Sequence, residues 1–215
     1  MFGVVFCLGV IAIILALSKY LEDKKILKGE NLRKFIHISI GCFVASWPWI
    51  IGWSTIQALS LLMLLVVFAN HYHTIFKFNK HLNRTTYGDY FFALAIYICA
   101  SITTNKFFFA MAILNMALAD GLAAVVGKNY GKHYEYKVFG QTKSLIGTMT
   151  FWITSVYILG SGMLFAHNYI PYSNYYWVIL LLPPALTLLE NLSVYGSDNL
   201  VVPVTVILVL KLAQG

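Results

Sequence analysis

Long runs of apolar residues recur along the chain and are separated by short polar connections. The hydrocarbon core of a bilayer is about 30 Å thick, and a helix crosses it with roughly 20 apolar residues. Because polar and apolar positions do not alternate within these runs, a membrane-spanning β-barrel is excluded. The pattern predicts an all-α transmembrane bundle of about eight helices, at residues 2–17, 35–51, 55–69, 90–103, 107–126, 145–165, 176–189 and 200–212.

Two of the predicted segments are less regular than the others. The segment at 90–103 is short, and the segment at 176–189 contains Pro183 and Pro184, which lack backbone donors and predict a kink. Seven complete crossings are therefore the alternative. No linker, repeat or low-complexity stretch divides the sequence, so residues 1–215 are expected to form one integral membrane domain.

The composition also indicates a membrane protein. Hydrophobic residues make up 60% of the sequence and charged residues 11%, whereas about a quarter of the residues in a soluble domain are charged. Apart from Lys106 and Lys211, the basic residues fall in the first, third and fifth connections. The positive-inside rule then predicts that these connections are cytoplasmic and that the N-terminus lies outside. The acidic residues lie at the same end of the predicted bundle.

The net charge of +7 has a simple explanation in this topology. Basic residues at the cytoplasmic surface are attracted to anionic lipid headgroups. Nucleic-acid binding is not expected, because no basic domain with interleaved aromatic residues lies outside the predicted membrane segments.

The fifth predicted helix carries a carboxylate within the membrane. Asp120 lies about two turns from the cytoplasmic end of this helix, where an ionised side chain costs at least ~2 kcal/mol at depth. Such a side chain usually faces protein, a partner or water, which makes Asp120 a functional candidate. Small residues nearby, including Gly121 and Gly127, allow close helix approach, and packing alone is the simpler explanation for each of them.

A glycine-containing basic segment follows Asp120. Gly127, Gly131 and Lys132 are expected to belong to a flexible loop whose backbone N–H groups are suited to phosphate. The P-loop pattern does not fit, because the spacing is one residue too short and His133 stands where Ser or Thr would bind magnesium.

The start of the sixth helix is a second candidate anion site. Free N–H groups and the positive end of the helix dipole favour an anion there, and a lysine adds a point charge. The alternative is that the serine is only an N-cap. The residues concerned are Lys143, Ser144, Gly147 and Thr148.

Polar residues also begin the second helix. Spacings of three and four place Glu30, Arg33, Lys34 and His37 along one side of it. A generic cluster at the membrane boundary explains the two cations. His37 adds a possible proton carrier or a hydrogen-bond donor to phosphate.

Acidic residues flank the last connection. Glu190 ends the seventh predicted helix, and Asp198 and Asn199 introduce the eighth. Asp198 is a candidate ligand, with a plain N-cap as the alternative.

Taken in order, these motifs resemble those of the dolichol kinase and phytol kinase family of membrane enzymes. The resemblance extends over most of the chain, from Glu30 to Val204, and the length is that of a compact core. The motifs that carry it are Arg33-Lys34-x-x-His37, Asp120 with Gly127 and Gly131, Lys143-Ser144-x-x-Gly147-Thr148, and Asp198-Asn199 before Pro203.

The resemblance implies transfer of a phosphate from a nucleoside triphosphate, commonly CTP, to a membrane lipid alcohol at the cytoplasmic face. It implies Mg²⁺, held by Asp120 with Asp198 or Glu190, and Asp120 as the base is the alternative role. His37 is a secondary candidate for a base or a phosphate contact. The residues expected to hold the triphosphate are Arg33, Lys34, Gly127, Gly131, Lys132, Lys143, Ser144, Gly147 and Thr148.

Two other functions are compatible with parts of this pattern. A cytidylyltransferase that activates a lipid phosphate with CTP would need the same magnesium and triphosphate apparatus. A transporter would be expected to show paired broken helices and ionisable residues near the midplane. The sequence has no evident counterpart to Pro183 and Pro184, and its polar groups gather at one face instead.

Overall fold

The computed structural model describes residues 2–73 and 87–214, with the side chains of residues 70–73 left out. Within this part of the chain, the backbone forms eight long helices, which confirms the predicted all-α bundle. The basic residues of the third connection, Lys77, Lys80 and Arg84, lie outside the described residues. The helices are α1 (Phe2–Asp23), α2 (Gly29–Ala45), α3 (Trp53–His73), α4 (Gly88–Ile102), α5 (Lys106–Tyr130), α6 (Leu145–Phe165), α7 (Tyr172–Leu192) and α8 (Asp198–Gln214).

The outer surface of the bundle is strongly apolar. Among the described helices, α1, α5, α6 and α7 are long and apolar enough to cross a membrane, and α3 and α4 contain shorter apolar stretches. Large side chains such as Tyr157, Leu164 and Leu180 point outward. A surface of this kind is unfavourable in water and suits contact with lipid.

Helix α5 forms the centre of the bundle. Its most apolar stretch is 61% buried, against 11% for α1, and Phe108, Phe109 and Ile113 have no exposed surface. The helix widens into a π-helical turn over Asn115–Ala119 and returns to α-helical geometry at Asp120. Such turns often mark functional sites, and here the turn directly precedes Asp120.

Small residues bring α2 and α5 into close contact beside Asp120. A β-carbon added at Gly41 would overlap the Cβ of Ala117, and one added at Gly121 would overlap the side chain of Ile38. This agrees with the expectation that small residues around Asp120 permit close packing. The contact places the first turns of α2 against the carboxylate.

Helix α2 departs from its predicted bounds of 35–51. It begins at Gly29 and ends at Ala45, and a 3₁₀ turn at Trp47–Trp49 follows. Pro48 lacks a backbone donor and suits a short turn better than a continuing helix. At the other end, Lys34 precedes the predicted start but is buried against α5 rather than placed at a polar surface, so hydropathy alone sets the start too late.

The connection between α5 and α6 contains a β-hairpin that the sequence did not predict. Strands β1 (Glu135–Val138) and β2 (Gln141–Ser144) pair antiparallel, with Tyr136 opposite Lys143. Phe139 and Gly140 connect the strands, and both have positive φ, 47° and 77°. This two-residue turn matches the right-handed twist of the strands, although phenylalanine is an unusual choice for it.

Candidate active site

Charged side chains line a cavity of about 490 Å³ at one end of the bundle. Its walls come from the starts of α2, α4, α6 and α8, the ends of α5 and α7, and the β-hairpin. The cavity therefore lies where helix ends converge. The predicted candidates that line it are Arg33, Lys34, Asp120, Gly127, Lys143, Ser144, Gly147, Thr148, Glu190, Asp198 and Asn199.

Three carboxylates from three helices meet in this cavity. Asp120, Glu190 and Asp198 each offer an oxygen, and these oxygens lie within 4.8 Å of one another. Asp120 and Glu190 are buried, and Asp198 is half-buried. Burial raises the pKa of Asp198, and the negative charge of Asp120 raises it further. The close approach of three acidic groups is therefore unfavourable unless cations compensate it.

Two lysines supply part of this compensation. Lys34 Nζ donates to Asp120 Oδ2 at 2.5 Å, and both side chains are buried. Lys143 Nζ donates to Glu190 Oε1 at 2.5 Å and to the Glu190 backbone carbonyl at 2.9 Å. Within the described residues, Asp198 forms no ion pair with a lysine or arginine.

Arg33 forms a separate pair with Glu30 at the cavity wall. Its guanidinium donates through Nε at 3.0 Å and through Nη2 at 2.5 Å, one bond to each carboxylate oxygen. Burial acts to raise the pKa of Glu30, but the hydrogen bond and charge of Arg33 outweigh it, so this pKa is lowered. Burial likewise opposes the charge of Arg33, and the contact with Glu30 outweighs it and raises the pKa of Arg33. Both groups are thus ionised at neutral pH.

His37 lies beside Asp120 and is not among the residues that line the cavity. Its Nε2 is 3.2 Å from the carbonyl oxygen of Met116, in the π-helical turn, and 3.6 Å from Asp120 Oδ2. Because a carbonyl only accepts, Nε2 carries the hydrogen and donates to it. His37 therefore packs beside Asp120 without lining the cavity, and its role as a base or a phosphate contact stays a prediction.

The glycines after Asp120 pack against α6 rather than forming a phosphate loop. The prediction of a flexible loop is wrong, because α5 continues to Tyr130 and the Gly131 N–H is bonded to the Gly127 carbonyl at 2.8 Å. A β-carbon at Gly127 would come within 2.7 Å of Ser144 Oγ, and one at Gly131 would overlap the same oxygen. These positions require glycine because the hairpin returns the chain so closely.

Of two further predicted phosphate ligands, Lys132 lies away from the cavity and Ser144 lines it. Lys132 is exposed in a 3₁₀ turn, Lys132–Tyr134, and does not line the cavity, whereas Lys128, one turn earlier, does. Ser144 Oγ accepts a hydrogen bond from the Gly147 N–H at 3.1 Å. Ser144 is therefore the N-cap of α6, and its contact with phosphate stays a prediction.

A polar network that the sequence did not indicate fixes the hairpin. The hydroxyl of Tyr136 donates to Asn191 Oδ1 at 2.6 Å and lies 2.5 Å from Thr148 Oγ1. Thr148 Oγ1 also donates to Asn191 Oδ1, at 3.2 Å. Because Tyr136 pairs with Lys143 across the hairpin, this network places Lys143 next to Glu190. No motif in the sequence links these three residues.

Asn199 is buried and joins α8 to α4. Its Nδ2 donates to the carbonyl of Gly88 at 3.0 Å. A β-carbon at Gly196, whose φ is +87°, would overlap the backbone of Gly88. This tight contact between the last connection and α4 fixes the start of α8, and hence the position of Asp198.

The apolar helices and the cavity are those of an α-helical membrane protein with a charged site at its helix ends. The chain is 32% identical over 185 residues to the phytol kinase of Synechocystis sp., an alignment that covers 81% of this chain and 75% of that protein. No family model and no solved structure matches the chain. The chain belongs to the phytol and polyprenol kinase family of lipid-alcohol kinases.

Proposed function

We propose that this protein transfers a phosphate from a nucleoside triphosphate, with CTP as the donor, to the hydroxyl of a polyprenol, dolichol, phytol or similar lipid. The observation that carries the proposal is the meeting of three carboxylates and two lysines in one cavity at the ends of apolar helices. Phosphoryl transfer depends on positioning and charge neutralisation, and these residues supply both. The phytol kinase relative supports the same class of reaction.

The three carboxylates fit a magnesium ion. Mg²⁺ prefers oxygen ligands, and Asp120, Glu190 and Asp198 offer oxygens close enough to share one ion. When bound, the ion would neutralise charge on the triphosphate. The close approach of the three carboxylates supports this assignment, because a cation would relieve the repulsion between them.

The remaining residues receive roles from their positions. In the proposed step, the lipid hydroxyl oxygen bonds to the γ-phosphorus, and the bond from this phosphorus to the β,γ-bridging oxygen breaks. The nucleoside diphosphate leaves, and the hydroxyl proton passes to a base, for which Asp120 is the candidate if it is not a metal ligand. Lys143 and Arg33 line the cavity and would hold phosphate oxygens.

The products of the reaction test this proposal. The purified protein is incubated with Mg²⁺ and γ- or α-labelled CTP, with a panel of lipid alcohols or with the corresponding lipid phosphates, and with ATP and UTP in parallel. A lipid monophosphate together with CDP is the expected result. A CDP-lipid together with pyrophosphate, formed from a lipid phosphate, would instead identify a cytidylyltransferase and overturn the kinase proposal.

We further propose that the chain crosses the membrane several times and that the cavity faces the cytoplasm. The distribution of basic residues supports this orientation. Cysteines introduced at Lys24 and Lys137 should then be labelled from the cytoplasmic side, and a cysteine at His167 from the opposite side. Labelling of the Lys24 and Lys137 positions from opposite sides of intact cells would contradict the proposed topology.

A further inference from the structure

The two lysines of the cavity occupy the carboxylates that the proposed metal would use. Lys34 is bonded to Asp120 and Lys143 to Glu190, each at 2.5 Å. The same two carboxylates, with Asp198, form the group of oxygens within 4.8 Å. Asp120 and Glu190 are therefore both candidate metal ligands and the ion-pair partners of the two lysines.

Charge balance makes this arrangement unsuited to a lone divalent ion. Three carboxylates and two ammonium groups sum to one net negative charge. A divalent cation would turn the sum positive in a buried site and would stand close to two ammonium groups. Like charges held close together in a partly buried site repel one another. The negative charge of a polyphosphate beside the ion would offset this excess of positive charge.

We propose that Lys34 and Lys143 exchange partners when the substrate binds, so that the site takes a divalent metal and a triphosphate only together. This inference rests on the proposed function. The carboxylates pass from the lysines to the metal, and the lysines pass to phosphate oxygens. Lysine suits such an exchange, because its compact charge sits on a flexible stem with rotatable donors.

Thermodynamic linkage gives the exchange a measurable sign. The lysines are proposed to oppose the metal in the free protein and to bind the triphosphate in the complex. The metal and the triphosphate must then strengthen each other's binding by the same factor. Removal of a lysine should then strengthen the binding of metal alone and weaken the binding of triphosphate. A lysine that served only as a phosphate contact or as a packing group would not produce the first effect.

The test measures binding rather than turnover, with Mn²⁺ as the metal probe. Free Mn²⁺ is followed by its paramagnetic resonance, and labelled CTP by equilibrium dialysis, for wild type, Lys34→Met and Lys143→Met. Lys137→Met is the matched control, because Lys137 is exposed on the same hairpin and does not line the cavity. The expected result is about tenfold or tighter binding of Mn²⁺ alone in each cavity variant, with weaker binding of CTP in the presence of Mn²⁺.

The outcomes separate this inference from the proposed function. If Mn²⁺ alone binds wild type as tightly as it binds both cavity variants, the exchange is overturned while the metal site stands. If no variant binds Mn²⁺ with or without CTP, the metal site itself fails and the exchange fails with it. The wild-type protein also tests the inference, so the test does not depend on the folding of a variant. If Mn²⁺ does not strengthen the binding of CTP to wild type, the inference is overturned.

Discussion

Replacement of Asp120 by Asn is expected to lower magnesium-dependent phosphate transfer by about 100-fold or more, while the protein still folds. The amide keeps the size of the side chain, and its oxygen can still accept the hydrogen bond from Lys34. It removes the negative charge that is needed to bind a divalent cation or to accept the alcohol proton. The rate is measured with CTP and a polyprenol or phytol, beside the solubilised yield and the thermal unfolding of the variant.

The control for this substitution is Asp23→Asn. Asp23 is exposed at the end of α1 and does not line the cavity, so the same chemical change should leave transfer near the wild-type rate. Some loss of stability is expected for Asp120→Asn alone, because it leaves a buried lysine without a charged partner. Near-normal transfer by a folded Asp120→Asn protein would remove Asp120 from the mechanism and leave it a packing role.

Most of the helices could be predicted because each contains a nearly continuous run of apolar residues. The segment predicted at 145–165 coincides with α6, which begins at an N-cap and lies between polar connections. The start of α2 was missed by six residues for a physical reason. Glu30, Arg33 and Lys34 make that stretch polar, yet they line the cavity, where ion pairs satisfy them.

The acidic residues of the site were predicted as candidates, but their juxtaposition was not derivable from spacing. Asp120, Glu190 and Asp198 are far apart in sequence, and only the packing of α5, α7 and α8 brings their oxygens together. The pairing of each lysine with one particular carboxylate depends on the same packing. Family resemblance indicated which residues to consider, whereas the geometry indicates which of them are partners.

The segment between α5 and α6 was predicted least well. Its glycines suggested a loop, because glycine is common both in loops and at close helix contacts, and sequence alone does not distinguish the two. The hairpin is short and its turn contains Phe139, so it lacks the usual Asn-Gly or Asp-Gly pattern. The interactions of Tyr136 with Thr148 and Asn191 that hold it join the hairpin and the start of α6 to the distant end of α7.

Replacement of Lys143 by Met should also lower the rate of transfer by about 100-fold or more, which corresponds to about 2.7 kcal/mol of transition-state stabilisation. Met keeps much of the length and apolar volume of the side chain but removes the cation that β2 places beside Glu190. The loss should appear in the maximal rate as well as in the KM for CTP, because charge on the transferring phosphate oxygens must be stabilised throughout the step.

Lys137→Met again provides the control, since it removes a cation from the same hairpin without entering the cavity. Lys143→Arg should recover part of the activity, because it restores the charge with a different geometry. A purely structural role for Lys143 predicts another pattern, in which Met and Arg variants lose activity only in proportion to their loss of folded protein. A folded Lys143→Met variant with an unchanged maximal rate would show that this cation does not act on the transferring phosphate, and Arg33 or Lys34 would then have to supply the charge.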